Sequence, residues 1–202
     1  WNKKLFGEMS CFAGWNLIGV FAGIVYNQGV NIVLNIFGGP IVNAARAIAF
    51  QVSGAANQLV TNFQLATNPP IMKAYATGDK SVFRLLSSSS KLSYILLLFI
   101  VIPFLLECSY VLKLWLKEVP EYSIMFVRLA MIDILVCSLA GPLHTLMQAT
   151  GSIRKYQIIV SGVLLMNLPL SYLMLKIGMS FDSTFYVSIS LSSIALVILF
   201  SE

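Results

Sequence analysis

Charged residues are scarce in this 202-residue chain. Asp, Glu, Lys and Arg together make up 10% of it, whereas soluble globular domains carry about 25%. A surface exposed to water cannot be built from so few charges, so the composition excludes an ordinary soluble domain. The hydrophobic fraction of 58% and the mean hydropathy of +0.85 favour a chain whose solvent is lipid.

Residues that bind metals, form disulfides or perform acid–base chemistry are also few. The chain has 3 cysteines, 1 histidine and 8 acidic residues. Cys11, Cys108 and Cys137 are too scattered for a disulfide framework or a metal site, and we interpret them as small apolar residues. No carboxylate pair suits acid–base catalysis, and no metalloprotease, nucleophile-elbow, phosphate-loop or Cys-x-x-Cys motif occurs. The sequence therefore predicts a protein that is not an enzyme and that has no cofactor or metal.

Long apolar runs make up most of the chain. Each is close to the ~20 residues that a helix needs to cross the hydrocarbon of a bilayer. They predict an all-α polytopic membrane bundle of about six transmembrane helices. The predicted spans cover residues 12–37, 42–68, 92–115, 123–150, 156–175 and 184–200.

Prolines interrupt several of these runs. The first span should stop at Gly38-Gly39-Pro40 and the second at Pro69-Pro70. Membrane helices tolerate proline where neighbours satisfy the freed carbonyls. We therefore expect kinks, rather than ends, at three positions inside spans: Pro103, Pro142 and Pro169.

The basic residues predict the orientation of the chain. They form no basic face or tail despite a net charge of +5, which argues against nucleic acid as a partner. An excess of Lys and Arg marks the cytoplasmic side of a membrane. With a cytoplasmic N-terminus, that side would hold Lys3, Lys4, Lys73, Lys80, Arg84, Lys91, Arg154 and Lys155. The other side would hold only Lys113, Lys117 and Lys176, so we expect both ends of this segment to be cytoplasmic.

The longest connection, residues 72–91, falls on the predicted cytoplasmic side. Residues 80–88 combine apolar side chains with Lys80 and Arg84. This pattern predicts either a helix lying on anionic lipid or an ordinary polar loop. The chain also begins without Met and ends directly after an apolar run, which favours a piece of a longer protein.

The first two predicted spans carry more amides than contact with lipid allows. In the second span the polar residues recur close to every 3.6 positions and form one stripe: Asn43, Arg46, Asn57, Thr61 and Gln64, flanked by Gln51 and Gln58. The first span has a shorter stripe, Asn27, Asn31 and Asn35, with Gln28 beside it. Amides donate and accept hydrogen bonds without a charge, so the stripes predict a shared hydrated cavity that binds water or sugar hydroxyls. The alternative is polar contact between helices, worth about 0.6 kcal/mol per bond.

Three charged residues lie within or at the edge of predicted spans. Arg46 is on the polar stripe, where its planar fork could bind a phosphate or extend to the interface. Asp133 lies deeper in the fourth span and needs a partner or water. Arg128, five positions earlier, is its predicted ion-pair partner, and Asp133 is also a candidate coupling site.

Two blocks of sequence carry a resemblance to a known family. They are Asn27 to Pro40, NQGVNIVLNIFGGP, and Asn43 to Val52, NAARAIAFQV. Shorter matches follow at residues 62–69, 112–116 and 148–151. Together they resemble the Wzx-like flippases for lipid-linked oligosaccharides, in the MOP exporter superfamily that also holds the MATE multidrug exporters.

The resemblance implies that the chain is the C-terminal six-helix lobe of a two-lobe, MATE-like transporter in a bacterial inner membrane. Its partners would be an N-terminal lobe missing from this segment, membrane lipids and an undecaprenyl-pyrophosphate-linked oligosaccharide used for O-antigen or capsule. By matching position, Arg46 would hold the pyrophosphate and the amides would hold the glycan during alternating access. Two other functions stay open, a cation-coupled multidrug exporter and a non-transporting membrane scaffold.

Overall fold

The computed structural model describes residues 3–150 and 153–201, with side chains except at 3–5, 8, 11, 12, 153–156 and 199–201. Every regular element in these ranges is a helix, which confirms the all-α prediction. The helices are α1 (Lys3–Ala76), α2 (Val82–Leu106), α3 (Cys108–Trp115), α4 (Ser123–Ala149), α5 (Ile153–Leu165), α6 (Asn167–Lys176) and α7 (Ser183–Ser201). The number of crossings and the MATE-like lobe remain predictions.

Several of these helices are long and apolar enough to cross a membrane. They are Ala13–Ala76, Val82–Leu106, Ser123–Ala149 and Gln157–Lys176, with Ser183–Ile198 a shorter apolar helix. Large apolar side chains point outward all over the bundle; Phe99, for example, is 81% exposed. Lipid is the solvent in which such a surface is stable, so the chain is a membrane-embedded helical protein.

Helix α1 is two helical arms joined at Gly39. We call residues 3–38 the N-terminal arm and residues 40–76 the C-terminal arm. Gly39 has φ 71° and ψ −170°, a backbone conformation that only glycine adopts readily. Pro40 then occupies the first position of the C-terminal arm, where its missing N–H costs nothing and its fixed φ favours the helix.

The two arms fold back on each other at this break. Asn27 and Phe50 line the same cavity. One uninterrupted helix would hold them about 35 Å apart. The break at Gly39 therefore makes a helical hairpin whose arms run side by side.

Helix α4 lies at the centre of the bundle and packs against α1, α2 and α7. Its buried Phe126, Leu129 and Met131 belong to the main apolar cluster. Leu34 and Ala45 contribute from the two arms of the hairpin. This packing holds the hairpin against the rest of the bundle and fixes which faces of its arms stay open.

The helix boundaries differ from the predicted ones at the prolines. The C-terminal arm continues through Pro69 and Pro70 to Ala76, because buried Ile71 and Ala74 anchor its last turns. Helix α2 ends three residues after Pro103, and residues 108–115 form the separate helix α3. Helix α4 runs through Pro142 to Ala149. Helix α5 ends at Leu165, whose carbonyl the ring of Pro169 leaves without its usual donor.

The connection between α1 and α2 is shorter than predicted. Residues 82–91 form the first turns of α2, so the structure has no separate helix there. Asp79 organises the turn, since its carboxylate accepts hydrogen bonds from the N–H of Ser81 at 2.9 Å and from the Ser81 hydroxyl at 2.8 Å. These two bonds favour the ionised form and lower the pKa of Asp79.

Some residues used in the predictions lie outside the described side chains. They are Lys3, Lys4, Arg154 and Lys155 from the orientation prediction, and Cys11 from the cysteines. The position of each end relative to the membrane stays a prediction.

Candidate functional site

A cavity of about 330 Å³ lies between the two arms of the hairpin. Its walls combine amides predicted from both stripes with one small and one aromatic side chain: Asn27, Gln28, Asn31, Asn43, Ala47 and Phe50. The hairpin turn brings these residues together, because it places positions before and after Gly39 at the same height. The two stripes therefore do share a cavity at this end of the hairpin.

The amides of the hairpin bond mainly within their own arm. Asn27 Nδ2 donates to the Gly23 carbonyl at 3.0 Å, and Asn31 Nδ2 donates to Gln28 Oε1 at 3.1 Å. In the C-terminal arm, Gln58 Nε2 donates to Asn62 Oδ1 at 3.2 Å. These bonds steady the side chains but leave much of their hydrogen-bonding capacity free. They do not hold one helix to another.

The rest of the stripe is spread along the exposed surface of the hairpin. Asn35, Gln58 and Thr61 are exposed, and Asn57 is half-buried. Gln51 is exposed as well, but it lies at the edge of a different cavity of about 450 Å³. That cavity is otherwise apolar, with walls from the C-terminal arm, α2, α3 and α4.

Gln64 lies inside the bundle and not on the cavity wall where we predicted it. Its Nε2 donates to the Ser138 carbonyl of α4 at 3.3 Å and to Ser93 Oγ of α2 at 3.4 Å. Pro142 has no N–H to donate to the Ser138 carbonyl four residues earlier, so Gln64 supplies the missing donor. Gly141 leaves the room, since a Cβ there would meet the Gln64 amide at 2.5 Å.

Arg46 is buried within the lobe, with 1% of its surface exposed. Its guanidinium carbon lies 4.6 Å from the ring centre of Phe50 and 5.4 Å from that of Phe185, both within cation–π range. Nε and Nη1 have no hydrogen-bond partner. The side chain neither lines the cavity nor extends to the surface, so the structure does not place it where the sequence pattern put it.

The charged neighbour of Arg46 is Asp133, which we had expected to pair with Arg128. Asp133 is the acidic group whose charge reaches Arg46, and the Tyr26 hydroxyl also lies nearby. Ser192 of α7 lies near the Asp133 carboxylate, and Asp133 Oδ1 has no hydrogen-bond partner. Five residues along a helix turn a side chain by about 140°, so Arg128 points elsewhere.

Arg128 lies on the opposite side of α4, near its start. It is exposed and lines a cavity of about 450 Å³ with Lys113 and Glu121. It also lies near Cys108 of α3. The residues that the structure describes therefore contain no Arg128–Asp133 ion pair, and the predicted pairing is corrected to the group of Arg46, Asp133 and Tyr26.

A ladder of hydroxyls on α7 was not predicted from the sequence. Thr184, Ser188 and Ser192 recur every four residues and are buried. Ser188 accepts a hydrogen bond from Asn167 Nδ2 at 3.2 Å, which joins α6 to α7. Tyr26 of the N-terminal arm lies near Ser188 and Ser192. The i, i+4, i+8 spacing of the ladder was the available signal, the same one that marked the amides of the first span.

The chemistry of the open cavity follows from its amides. Neutral donors and acceptors bind hydroxyls, amides or water, and such groups carry out no bond breaking by themselves. Within residues 3–150 and 153–201, no group of three or more His, Cys, Asp or Glu is placed to hold a metal. The site is therefore suited to holding a polar ligand.

Comparisons of the chain with protein-family models, with curated proteins and with solved structures gave no match.

Proposed function

We propose that this chain is one lobe of a membrane flippase that moves a lipid-linked oligosaccharide across a bacterial inner membrane. One observation carries the proposal. The amides on both arms of the hairpin face a shared cavity or the open surface, and the bonds of Asn27, Asn31 and Gln58 stay within their own arm. Exposed amides along a membrane helix need water or a polar ligand to bind.

Another part of the same bundle supports this interpretation by contrast. Where polar side chains hold helices together, as at Gln64 and Ser188, they are at least half-buried and bond across helices. By contrast, Asn27, Asn31 and Gln58 keep their bonds within their own arm, and Asn27, Gln28, Asn35 and Gln58 are exposed. They are therefore poor candidates for contacts between helices and good candidates for a surface that meets a ligand or a second lobe.

The mechanism that suits this surface is alternating access. Counting the two arms, α2, α4, α5 with α6, and α7 gives the six crossings of one lobe, with both ends cytoplasmic. The open faces of the arms would meet an N-terminal lobe, and the ligand's sugar hydroxyls would bind the amides between the lobes. The lipid tail stays in the bilayer, so transport needs no covalent chemistry and no cofactor.

A cation-coupled exporter is the second candidate. The observation that favours it is the carboxylate of Asp133, one oxygen of which is buried without a hydrogen-bond partner. An ionisable group within a membrane-spanning segment is by default a functional candidate, and a carboxylate is a group to which a coupling proton or cation binds. Ion-driven flux that survives Asp133→Asn would count against this candidate.

The test of the flippase proposal measures whether the amide surface is wet. Single cysteines replace Asn31 and Thr61 in the full-length protein, in a background lacking Cys11, Cys108 and Cys137, and meet a membrane-impermeant thiol reagent in cells. Both should label, and lipid-linked oligosaccharide should slow the reaction. Gln64→Cys is the matched control from the same arm, and it should label poorly because residue 64 is turned into the bundle.

The possible results separate the candidates. Labelling at Asn31 and Thr61 without any effect of the oligosaccharide would favour the exporter. No labelling at either position, from either side of the membrane, would mean that the stripes are dry and would contradict both transport functions in favour of a scaffold.

A further inference from the structure

The buried guanidinium of Arg46 is incomplete as a binding group. Its Nε and Nη1 have no hydrogen-bond partner although the side chain is 1% exposed. Buried charges in proteins are normally paired and hydrogen-bonded, because an unsatisfied one is costly. Two donor groups of Arg46 thus lack an acceptor among the residues that the structure describes.

Two aromatic rings cover the guanidinium. The ring centres of Phe50 and Phe185 lie 4.6 Å and 5.4 Å from its central carbon. The faces of the rings stabilise the cation but do not replace the in-plane acceptors that a guanidinium prefers. Asp133 on α4 is the acidic group whose charge reaches it, and the neutral Tyr26 hydroxyl of the N-terminal arm lies nearby.

The two rings differ in what lies on their far side. Phe185 is 2% exposed and packs against buried Phe126, with ring centres 4.9 Å apart. Phe50 is 37% exposed and lines the amide cavity together with Asn43 and Ala47. The Phe50 ring therefore contacts the guanidinium and also forms part of the cavity wall.

We propose that Phe50 is a gate between the amide cavity and the Arg46 guanidinium. When the ring turns aside, the cavity gains a cation and becomes a site for a phosphate-bearing ligand, with the phosphate on Arg46 and neutral hydroxyls on the amides of Asn27, Asn31 and Asn43. This inference rests on the proposed function, since it assigns the ligand's anionic group. With the ring in place the guanidinium is shielded, so free phosphate in solution has no open site.

Arginine suits this role because its fork binds phosphate oxygens in pairs and stays charged whatever its surroundings. The carboxylate of Asp133 is near enough to stabilise the cation while the gate is closed. It makes no hydrogen bond to Nε or Nη1 of Arg46. A ligand large enough to displace the Phe50 ring then meets unoccupied donors.

Access to position 46 can be measured without any transport. Arg46→Cys is made in the full-length protein lacking the native cysteines, and the rate of reaction with a charged thiol reagent is measured in vesicles. With Phe50 present we expect slow labelling, and with Phe50→Ala a rate at least tenfold higher. Phe37→Ala is the matched control, because Phe37 is 38% exposed on the other arm but does not line the cavity.

Equal labelling rates with Phe50 and with Phe50→Ala would overturn the gate. A rise of the same size in Phe37→Ala would overturn it too, because the effect would then come from loosening of the hairpin. A flippase assay that fails while labelling depends on Phe50 would refute the proposed function and leave the gate standing. The two failures are therefore distinguishable.

A second measurement keeps Arg46 and asks whether the opened site binds an anion. Inorganic pyrophosphate should raise the melting temperature of the Phe50→Ala protein and leave that of the native protein unchanged. The double variant Phe50→Ala, Arg46→Gln should lose this shift, and equal shifts in both variants would overturn Arg46 as the ligand. A lipid-linked pyrophosphate that stabilises the native protein, where the free anion does not, would identify the lipid-borne group as the one that opens the gate.

Discussion

At the scale of single residues, Gln64 supplies the hydrogen-bond donor that Pro142 removes from α4. Proline removes one donor from α4 and leaves the Ser138 carbonyl without its helical partner. The Gln64 amide reaches that carbonyl from the neighbouring hairpin, and Gly141 keeps the space clear. A lost hydrogen bond in one helix is thus replaced by a contact between two helices, as membrane helices that contain proline require.

This pairing predicts a coupled loss of stability. Gln64→Ala should lower the free energy of unfolding in detergent by about 1–3 kcal/mol, because a buried carbonyl is left unpaired. In a Pro142→Ala background the backbone N–H returns, so the same change should cost less. Reversible unfolding followed by circular dichroism measures both.

The control for this pair of substitutions removes Ser93, the second hydrogen-bond acceptor of Gln64. Ser93→Ala removes a weaker contact at 3.4 Å and leaves the Ser138 carbonyl untouched, so its cost should not depend on Pro142. If Gln64→Ala costs the same with and without Pro142, the amide does not serve the freed carbonyl.

The repeat of polar residues in the sequence could predict one part of the site, the helix face, but not the contacts between helices. A 3.6-residue repeat tells which face of a helix a side chain is on, so the amide stripes of the hairpin could be predicted. It does not tell which helix faces that side. The way α1 and α7 pack on α4 decides which residues become neighbours. It brings Gln64 near Pro142, and it brings Arg46, not Arg128, near Asp133. A periodic pattern carries no such information.

At the scale of elements, the hairpin depends on one glycine. Gly39 takes a conformation that costs other residues about 1–3 kcal/mol. The run Gly38-Gly39-Pro40 could therefore be predicted as a turn, because glycine is the residue that adopts this backbone conformation readily. The helix end predicted at Pro69-Pro70 was wrong, because packing of the last turns of the C-terminal arm outweighs the hydrogen bonds lost at the prolines.

Gly39→Ala tests the hairpin directly. We expect a fall in melting temperature in detergent that corresponds to about 1–3 kcal/mol of backbone strain. Gly54→Ala is the matched control in the C-terminal arm, because a Cβ at position 54 meets no atom within 4 Å. That change should stabilise the helix by up to about 1 kcal/mol. Equal effects of the two substitutions would mean that the turn is not strained by a side chain.

At the scale of the whole molecule, the lobe has two kinds of surface. Most of its outside is apolar and suited to lipid, whereas the open face of the hairpin is rich in amides. A lone lobe would have to hide that face from hydrocarbon. This surface is consistent with our proposal that the chain is one lobe of an assembly whose other half covers the amides and encloses the cavity.

Export of polysaccharide is the activity that this assembly should show. In the full-length protein, Arg46→Ala should abolish export, because the ligand's phosphate loses its cation. The amount of protein in the membrane should stay unchanged. The measurement is surface polysaccharide in cells whose own flippase is replaced by the variant, with Arg46→Gln as a bulkier version of the same test.

Arg128→Ala provides the comparison, since Arg128 is also a membrane arginine but lies on the far side of α4 from the cavity. It should keep export close to normal. Normal export from both Arg46 variants would remove Arg46 from the transport path.

The position of Arg46 also constrains how the protein is made. Its cation is covered by Phe185, which leaves the ribosome about 140 residues later. At typical synthesis rates this takes roughly 7 to 30 seconds. During that interval the guanidinium has the Phe50 ring of its own arm but lacks the Phe185 ring. The burial of Arg46 is therefore complete only after α7 has packed against the hairpin.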